Sequence, residues 1–218
     1  ARYRGKQLYK WLYEKKCEKF NEMSNFSSGL RAKLSDRYDL IHARIETKQE
    51  DRRDGTKKYL IALSDGQYIE AVLMQYEHGA SLCVSTQVGC NMGCKFCAST
   101  KGGKVRDLCA GEILDQIYLA EKEEEVRISN VVIMGIGEPL ENYDEVIKFI
   151  RIANTGFGIG QRKISLSTCG IIPGIEALAE EDLQINLAIS LHSVFSERRK
   201  QLMPIANRYD LEPLMEAC

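Results

Sequence analysis

The sequence predicts an α/β protein: a parallel sheet covered by helices, preceded by a small helical unit. Three observations carry that prediction. Beyond residue 90, short apolar runs alternate with helical patterns, as in Val131-Val132-Ile133-Met134 followed by Asp144–Ile152. Strand-then-helix repetition with continuous apolar strands argues for parallel pairing under helices. Upstream, residues 57–63 (KKYLIAL) and 68–74 (YIEAVLM) are joined across Asp65-Gly66, a hairpin signal. The first fifty residues carry helical spacing instead.

Taken in chain order, Leu8, Trp11 and Leu12 recur at helical spacing near the start. A second helix is expected after Ser27 and Ser28, which can cap it, through Leu30 and Leu34. Residues 1–52 are therefore read as a helical accessory unit, and 53–85 as a hairpin and strand extension whose third strand is Leu82–Ser85. Residues 86–218 form the α/β body. There, a helix is expected over Ala110–Glu123, strands over Lys163–Ser167 and Ile185–Leu191, and another helix over Ile175–Ala179.

Composition narrows the class of protein. The chain has 218 residues, 44% hydrophobic and 28% charged, which is ordinary for a globular protein. Thirty basic residues face 31 acidic ones, so a strongly basic nucleic-acid tail is excluded while a basic patch is not. Residues 1–50 hold twelve Lys and Arg against seven Asp and Glu. That bias fits an RNA-facing module or an ordinary solvated helix surface equally well. No apolar run approaches the ~20 residues that span a bilayer, so no membrane is expected. Eight cysteines without a secretory leader lead to the expectation of a reducing, cytoplasmic setting and of metal or redox work. Ala1 is not a methionine, and Cys218 falls inside a helical pattern with no stop signal, so the chain is expected to be a piece of a longer protein lacking its C-terminal part.

The chemistry is expected at the C-terminal ends of the strands, in the loops leading to helices. The run GCNMGCKFC places Cys90, Cys94 and Cys97 in a C-x3-C-x2-C spacing. Iron–sulfur clusters are usually held by four thiolates, so three leave one iron open to a small molecule. The competing reading is zinc, with His192 or His78 as fourth ligand, though zinc pairs are usually followed by a second pair; buried thiols without a metal are a third. Gly135 and Gly137 allow close backbone approach, and Glu138 could receive an ammonium group or simply end a turn. Beside a cysteine loop the ligand reading is preferred. Ser167 and Ser190 suit a ribose or a carboxylate, and His192 could stack or donate. Cys83 is either a core thiol or a second reactive thiol. Glu70, in Ile69-Glu70-Ala71-Val72, either faces solvent or serves as a base. Lys101, Lys104 and Arg106, with Arg198, Arg199 and Lys200, are candidate RNA contacts.

Together, RGKQLYKWLY, DGQYIEAVLM, LCVSTQVGCNMGCKFCAST, VVIMGIGEPLENYD, KISLSTCGIIPGI, INLAISLHSV and RRKQLMPI resemble the radical S-adenosylmethionine (radical SAM) superfamily. More narrowly they resemble the bacterial ribosomal RNA adenine-C2 methyltransferases (RlmN), including the dual-specificity type. The resemblance covers essentially the whole chain. It implies a partial (β/α) barrel with a small helical N-terminal domain. It implies a [4Fe-4S] cluster on Cys90, Cys94 and Cys97 and two molecules of S-adenosyl-L-methionine per turnover. Gly137 and Glu138 would contact the methionine part; Ser167, Ser190, Leu191 and His192 would line the rest. Glu70 matches the family's general base and Cys83 its resolving cysteine. The implied substrates are adenosines in 23S rRNA and in tRNA, and the implied electron donor is a protein such as flavodoxin.

The implied reaction methylates a carrier cysteine, which the resemblance puts beyond residue 218; Cys218 itself is not that carrier. A 5′-deoxyadenosyl radical then activates the methyl group for addition to adenine C2. Cys83 resolves the adduct by disulfide formation, and the target base must be unstacked. Cys169 departs from the family pattern, where serine is common; it is read, with Cys109 and Cys17, as structural. Two alternatives remain: a related adenine-C8 methyltransferase of the antibiotic-resistance type, and a non-catalytic zinc-stabilised RNA-binding module.

Overall fold

The computed structural model describes residues 2–40, 43–77 and 79–218. His78, one of the zinc ligands considered above, lies outside the described residues.

Helix α1 (Arg2–Tyr9) runs into a wider π turn over Lys10–Glu14. Helix α2 (Ser28–Ser35) starts where expected: the Ser27 hydroxyl accepts from the Leu30 amide at 3.4 Å. Both helices close over a small core of their own. Cys17, Phe20, Met23 and Phe26 are buried there against Leu8, Trp11, Leu12, Leu30 and Leu34.

The helical reading of residues up to 52 is corrected at its end. Ala43–Glu50 is a strand, β1, antiparallel to β2 (Lys57–Leu63). Ala43 and Ile45 are half-buried while Arg44 and Glu46 are exposed, so the period is 2 and not 3.6. Strand β2 turns through Asp65-Gly66 into β3 (Tyr68–Tyr76), as the hairpin signal predicts. Strand β4 (Gly79–Cys83) then pairs with β3. It ends two residues earlier than expected, because the Ser85 amide leaves the ladder for the Gln116 side chain at 2.8 Å.

A two-stranded ribbon, β5 (Gln87–Gly89) and β6 (Lys104–Asp107), brackets the cysteine loop. Helix α3 (Ala110–Glu124), β7 (Ile128–Ile133), α4 (Tyr143–Thr155), β8 (Ile164–Thr168), α5 (Ile172–Ala179) and β9 (Asn186–Ile189) follow in alternation; α6 (Ser196–Leu202) and α7 (Leu211–Glu216) complete the chain. The expected strand over 185–191 is the shorter β9, since His192 turns into the left-handed region at φ 57°.

The main sheet has the order β1-β2-β3-β4-β7-β8-β9. Its β4-β7-β8-β9 half is parallel and its first half antiparallel. The fold is therefore α/β, with a partial (β/α) barrel formed by the parallel half. One face of the sheet carries Ile61, Leu73, Leu82, Val131 and Leu166, buried against Ile113 and Ile117 of α3, Phe149 and Ile150 of α4 and Ile175 of α5. The opposite face carries Leu60, Glu70, Val72, Cys83, Val132, Ser165 and Ser167, all only half-buried. Register fixes this sorting, because Val72 lies opposite Cys83, Cys83 beside Val132, and Val132 beside Ser165.

Candidate cofactor site

The cysteine loop is anchored at both ends. At its base Gly89 has φ 73°, and a Cβ there would meet the Gly103 carbonyl oxygen at 1.9 Å, so only glycine fits. The Cys90 amide donates to that same carbonyl at 3.2 Å. Inside the loop, the Cys97 amide donates to the Cys94 carbonyl at 3.0 Å and the Thr100 hydroxyl to the Cys97 carbonyl at 3.2 Å. The Lys95 amide donates to Leu202 at 2.9 Å, tying the loop to the end of α6.

Cys90, Cys94 and Cys97 line one cavity of about 250 Å³ together with Gly137, Glu138, Ser167, Ser190 and His192. Eight of the eleven sequence-derived site residues thus meet at one place. Leu191 does not line it. Glu70 and Cys83 stand outside it on the open face of the sheet, in neighbouring rows of side chains: Cys83 lies opposite Val72, two residues along β3 from Glu70. The Glu70 carboxylate is half-exposed and pairs with Lys58 at 2.7 Å. Burial pushes the Cys83 thiol above its ordinary pKa, partly opposed by a hydrogen bond to the backbone of Met134.

The loop after β7 is shaped by Gln87, which is fully buried. Its amide oxygen accepts from the Glu138 amide at 2.8 Å, and its NH2 donates to Asp107 at 2.7 Å and Glu141 at 2.9 Å. Gly137, at φ 111°, comes so close that a Cβ would lie 2.7 Å from Gln87 Cβ. The Glu138 carboxylate accepts from the Thr168 hydroxyl (2.7 Å) and from the amides of Cys169 (2.8 Å) and Leu140 (3.1 Å). Burial nevertheless pushes its pKa up. Across the cavity, Ser167 Oγ and Ser190 Oγ are 3.1 Å apart.

The donor set fits an iron–sulfur cluster better than zinc. A zinc site draws every thiolate to about 2.3 Å from one centre. A cubane takes one thiolate on each of three irons, which three cysteines lining a shared wall can supply. Burial pushes Cys90 up to about 11, with Glu138 and the neighbouring thiols adding to it, and also raises Cys94. Such thiols ionise when a metal cation supplies the missing positive charge.

Several residues at the site were not singled out from sequence. Phe96 is exposed at the cavity mouth and lies against the His192 ring, centroids 4.3 Å apart. Its place between two of the cysteines was the available signal. Met134 and Met203 also line the cavity, and so does Cys169, which the sequence reading had taken as structural. The candidate RNA contacts separate. Arg199 is corrected outright, since it is fully buried. Lys104 pairs with Asp107 and Glu141, Arg106 with Asp65 and Glu112, and Lys200 with Asp210. Lys101 and Arg198 are exposed. Among the described residues no helix is long and apolar enough to cross a membrane.

Comparison with known proteins agrees with this geometry. Residues 84–218 match the family model of the radical SAM superfamily, and residues 1–40 match the ribosomal RNA large subunit methyltransferase N-terminal domain. A probable dual-specificity RNA methyltransferase RlmN of Lachnospira eligens is 52% identical over all of this chain and 63% of its own length. A protein of the same description from Clostridium novyi is 51% identical, with 64% of its length covered. The crystal structure of a radical SAM methyltransferase from Sphaerobacter thermophilus superposes with a TM-score of 0.93 at 37% identity, over 100% of this chain and 65% of that one. The chain thus spans just under two thirds of the length of these relatives.

Proposed function

The chain belongs to the radical SAM superfamily, and from that premise we propose that its protein methylates C2 of an adenosine in 23S rRNA and in some tRNAs. The observation that carries this reading is the meeting of Cys90, Cys94 and Cys97 with Gly137, Glu138, Ser167 and Ser190 on one cavity, beside an open face bearing Glu70 and Cys83. The RNA-methyltransferase relatives and the matched N-terminal segment supply the substrate class.

Membership implies a [4Fe-4S] cluster and S-adenosyl-L-methionine as cofactors. When bound, the pair supplies an electron and a carbon radical, which a methyl donor needs because C2 of adenine is too electron-poor to attack a methyl cation. Everything else falls to this chain's side chains. Cys90, Cys94 and Cys97 hold the iron. Gly137 lets its backbone run close to the amino-acid end of the cofactor, and Glu138, with three hydrogen bonds accepted, keeps acceptor capacity for an ammonium. The Ser167–Ser190 pair presents hydroxyls from two adjacent strand ends, while Phe96 and His192 offer ring faces at the mouth. Glu70 takes the C2 proton once its contact with Lys58 opens. Cys83 supplies the thiol that resolves the adduct on the carrier cysteine. The basic helical unit at the N-terminus faces RNA, and a protein such as flavodoxin delivers the electron.

Two measurements test the reading. Oxygen-free loading with iron and sulfide should give a brown protein absorbing broadly near ~400 nm, and Cys90→Ala should stay colourless. Ribosomal RNA from cells lacking the gene should lose 2-methyladenosine on mass spectrometry. Loss of 8-methyladenosine alone would overturn the C2 assignment, and a colourless wild-type protein holding one zinc would overturn the cluster.

A further inference from the structure

We propose that Arg199 is the built-in counter-charge of the cysteine loop: a buried guanidinium that favours the reduced state of an iron–sulfur cluster held by Cys90, Cys94 and Cys97. The inference rests on the cluster reading above and goes beyond it by naming a positioning and electrostatic residue outside the cofactor motifs.

Arg199 lies on α6 and is the largest fully buried side chain of the described residues, at 0% exposure. A buried charge is ordinarily paired with an opposite one, because an unpaired ion in the interior is costly. Among the described residues, Arg199 has no carboxylate within ion-pair distance. Nη2 donates to the Cys169 carbonyl at 2.6 Å and Nη1 to the Tyr209 carbonyl at 3.4 Å. Among the described residues, its buried Nε has no hydrogen-bond partner. Two carbonyls could be served by a neutral amide, so the positive charge is unexplained by the contacts present.

The charged and ionisable groups around it narrow what the charge serves. Asp210 acts on Arg199 from a distance, yet its carboxylate is taken by Lys200 at 2.8 Å and is only half-buried. Glu138 also meets the Cys169 backbone, accepting the N–H of Cys169 while Arg199 donates to the C=O of the same residue. What remains is sulfur. Cys94, Cys169 and Met203 pack as one buried cluster, and the loop between Cys94 and Cys97 is pinned to the last turn of α6 through Lys95 and Leu202. Cys94 and Arg199 are within electrostatic reach of each other.

The group that would complete the pairing is therefore the metal–thiolate assembly itself. A cubane with three thiolates is anionic, and its charge grows by one on reduction. A fixed cation behind the loop, in a low-dielectric interior, favours the more negative state. Net charge and nearby dipoles are among the determinants of cluster potential.

The test is the reduction potential of the iron-loaded, full-length protein, followed by electron paramagnetic resonance during a redox titration. Arg199→Gln removes the charge and keeps a donor for the Cys169 carbonyl. It should load iron normally and shift the reduction equilibrium at least tenfold against the reduced cluster, a fall of about 59 mV for one electron. Arg199→Lys should stay close to wild type. An iron-loaded Arg199→Gln protein with an unchanged potential overturns the proposal, and so does an Arg199→Lys protein whose potential falls by the same tenfold. If the glutamine variant does not fold, Arg199→Met, which fills similar space without charge, takes its place and should show the same tenfold shift; an unchanged potential there overturns the proposal. A wild-type protein that binds no inorganic sulfide refutes the cluster reading itself, and the counter-charge with it.

Discussion

The two faces of the seven-stranded sheet are built from the same strands and do opposite work. On the covered face Leu73, Leu82, Val131 and Leu166 are buried under α3, α4 and α5. One residue away on each strand, Val72, Cys83, Val132 and Ser167 stay half-exposed on the open face. Burial of a Leu-sized side chain contributes roughly 1.5–3 kcal/mol, so the covered face supplies stability. The open face leaves a thiol, a carboxylate and a serine accessible, which a packed interior would have to neutralise or cover. A period of 2 separates the two duties without lengthening the chain.

The contrast can be broken most directly by truncation. Leu82→Ala should cost about 2–5 kcal/mol in chemical denaturation. Val132→Ala, adjacent by register but on the open face, should cost roughly half of that or less, in proportion to its partial burial. Equal losses would mean that both faces are packed alike.

A second comparison sharpens the character of the open face. Burial raises the Cys83 thiol, so its thiolate forms at higher pH than that of a free cysteine. In iron-free protein its alkylation rate, followed by peptide mass spectrometry, should have a midpoint above the usual ~8.5 and fall off as pH drops through it. A midpoint at or below ~8.5 would make this position as wet as bulk solvent.

The smallest effect is expected at Lys58. Its pair with Glu70 is exposed on both sides, and such pairs contribute about 0–1 kcal/mol. Lys58→Met should therefore leave the denaturation midpoint nearly unchanged. A loss of several kcal/mol would show that the pair is buried in solution and that Glu70 is not available as a base.

Much of this arrangement was legible in the residues. Asp65-Gly66 announced the hairpin, Ser27 capped its helix, and the strand-end rule led to Gly137, Ser167 and Ser190, which do line the cavity with the three cysteines. Ala43–Glu50 was misread because eight mostly polar residues offer little periodicity; their strand form depends on the partner β2. Arg199 was misread because Arg-Arg-Lys looks like a solvated run, and only packing reveals that the middle residue points inward. Phe96 was passed over although it stands inside the cysteine motif.

By itself the sequence determined the strand-and-helix order, the trio of thiols and the loops that would meet them. Those are matters of local spacing, turn chemistry and donor type, each set within a few residues. Tertiary structure alone decided that Glu70 and Cys83 share a face, that Gln87 braces the Gly137–Glu138 turn, and that a guanidinium lies buried behind the cysteine loop. Such relations join residues tens of positions apart, and only strand register and core packing bring them within ångströms of one another.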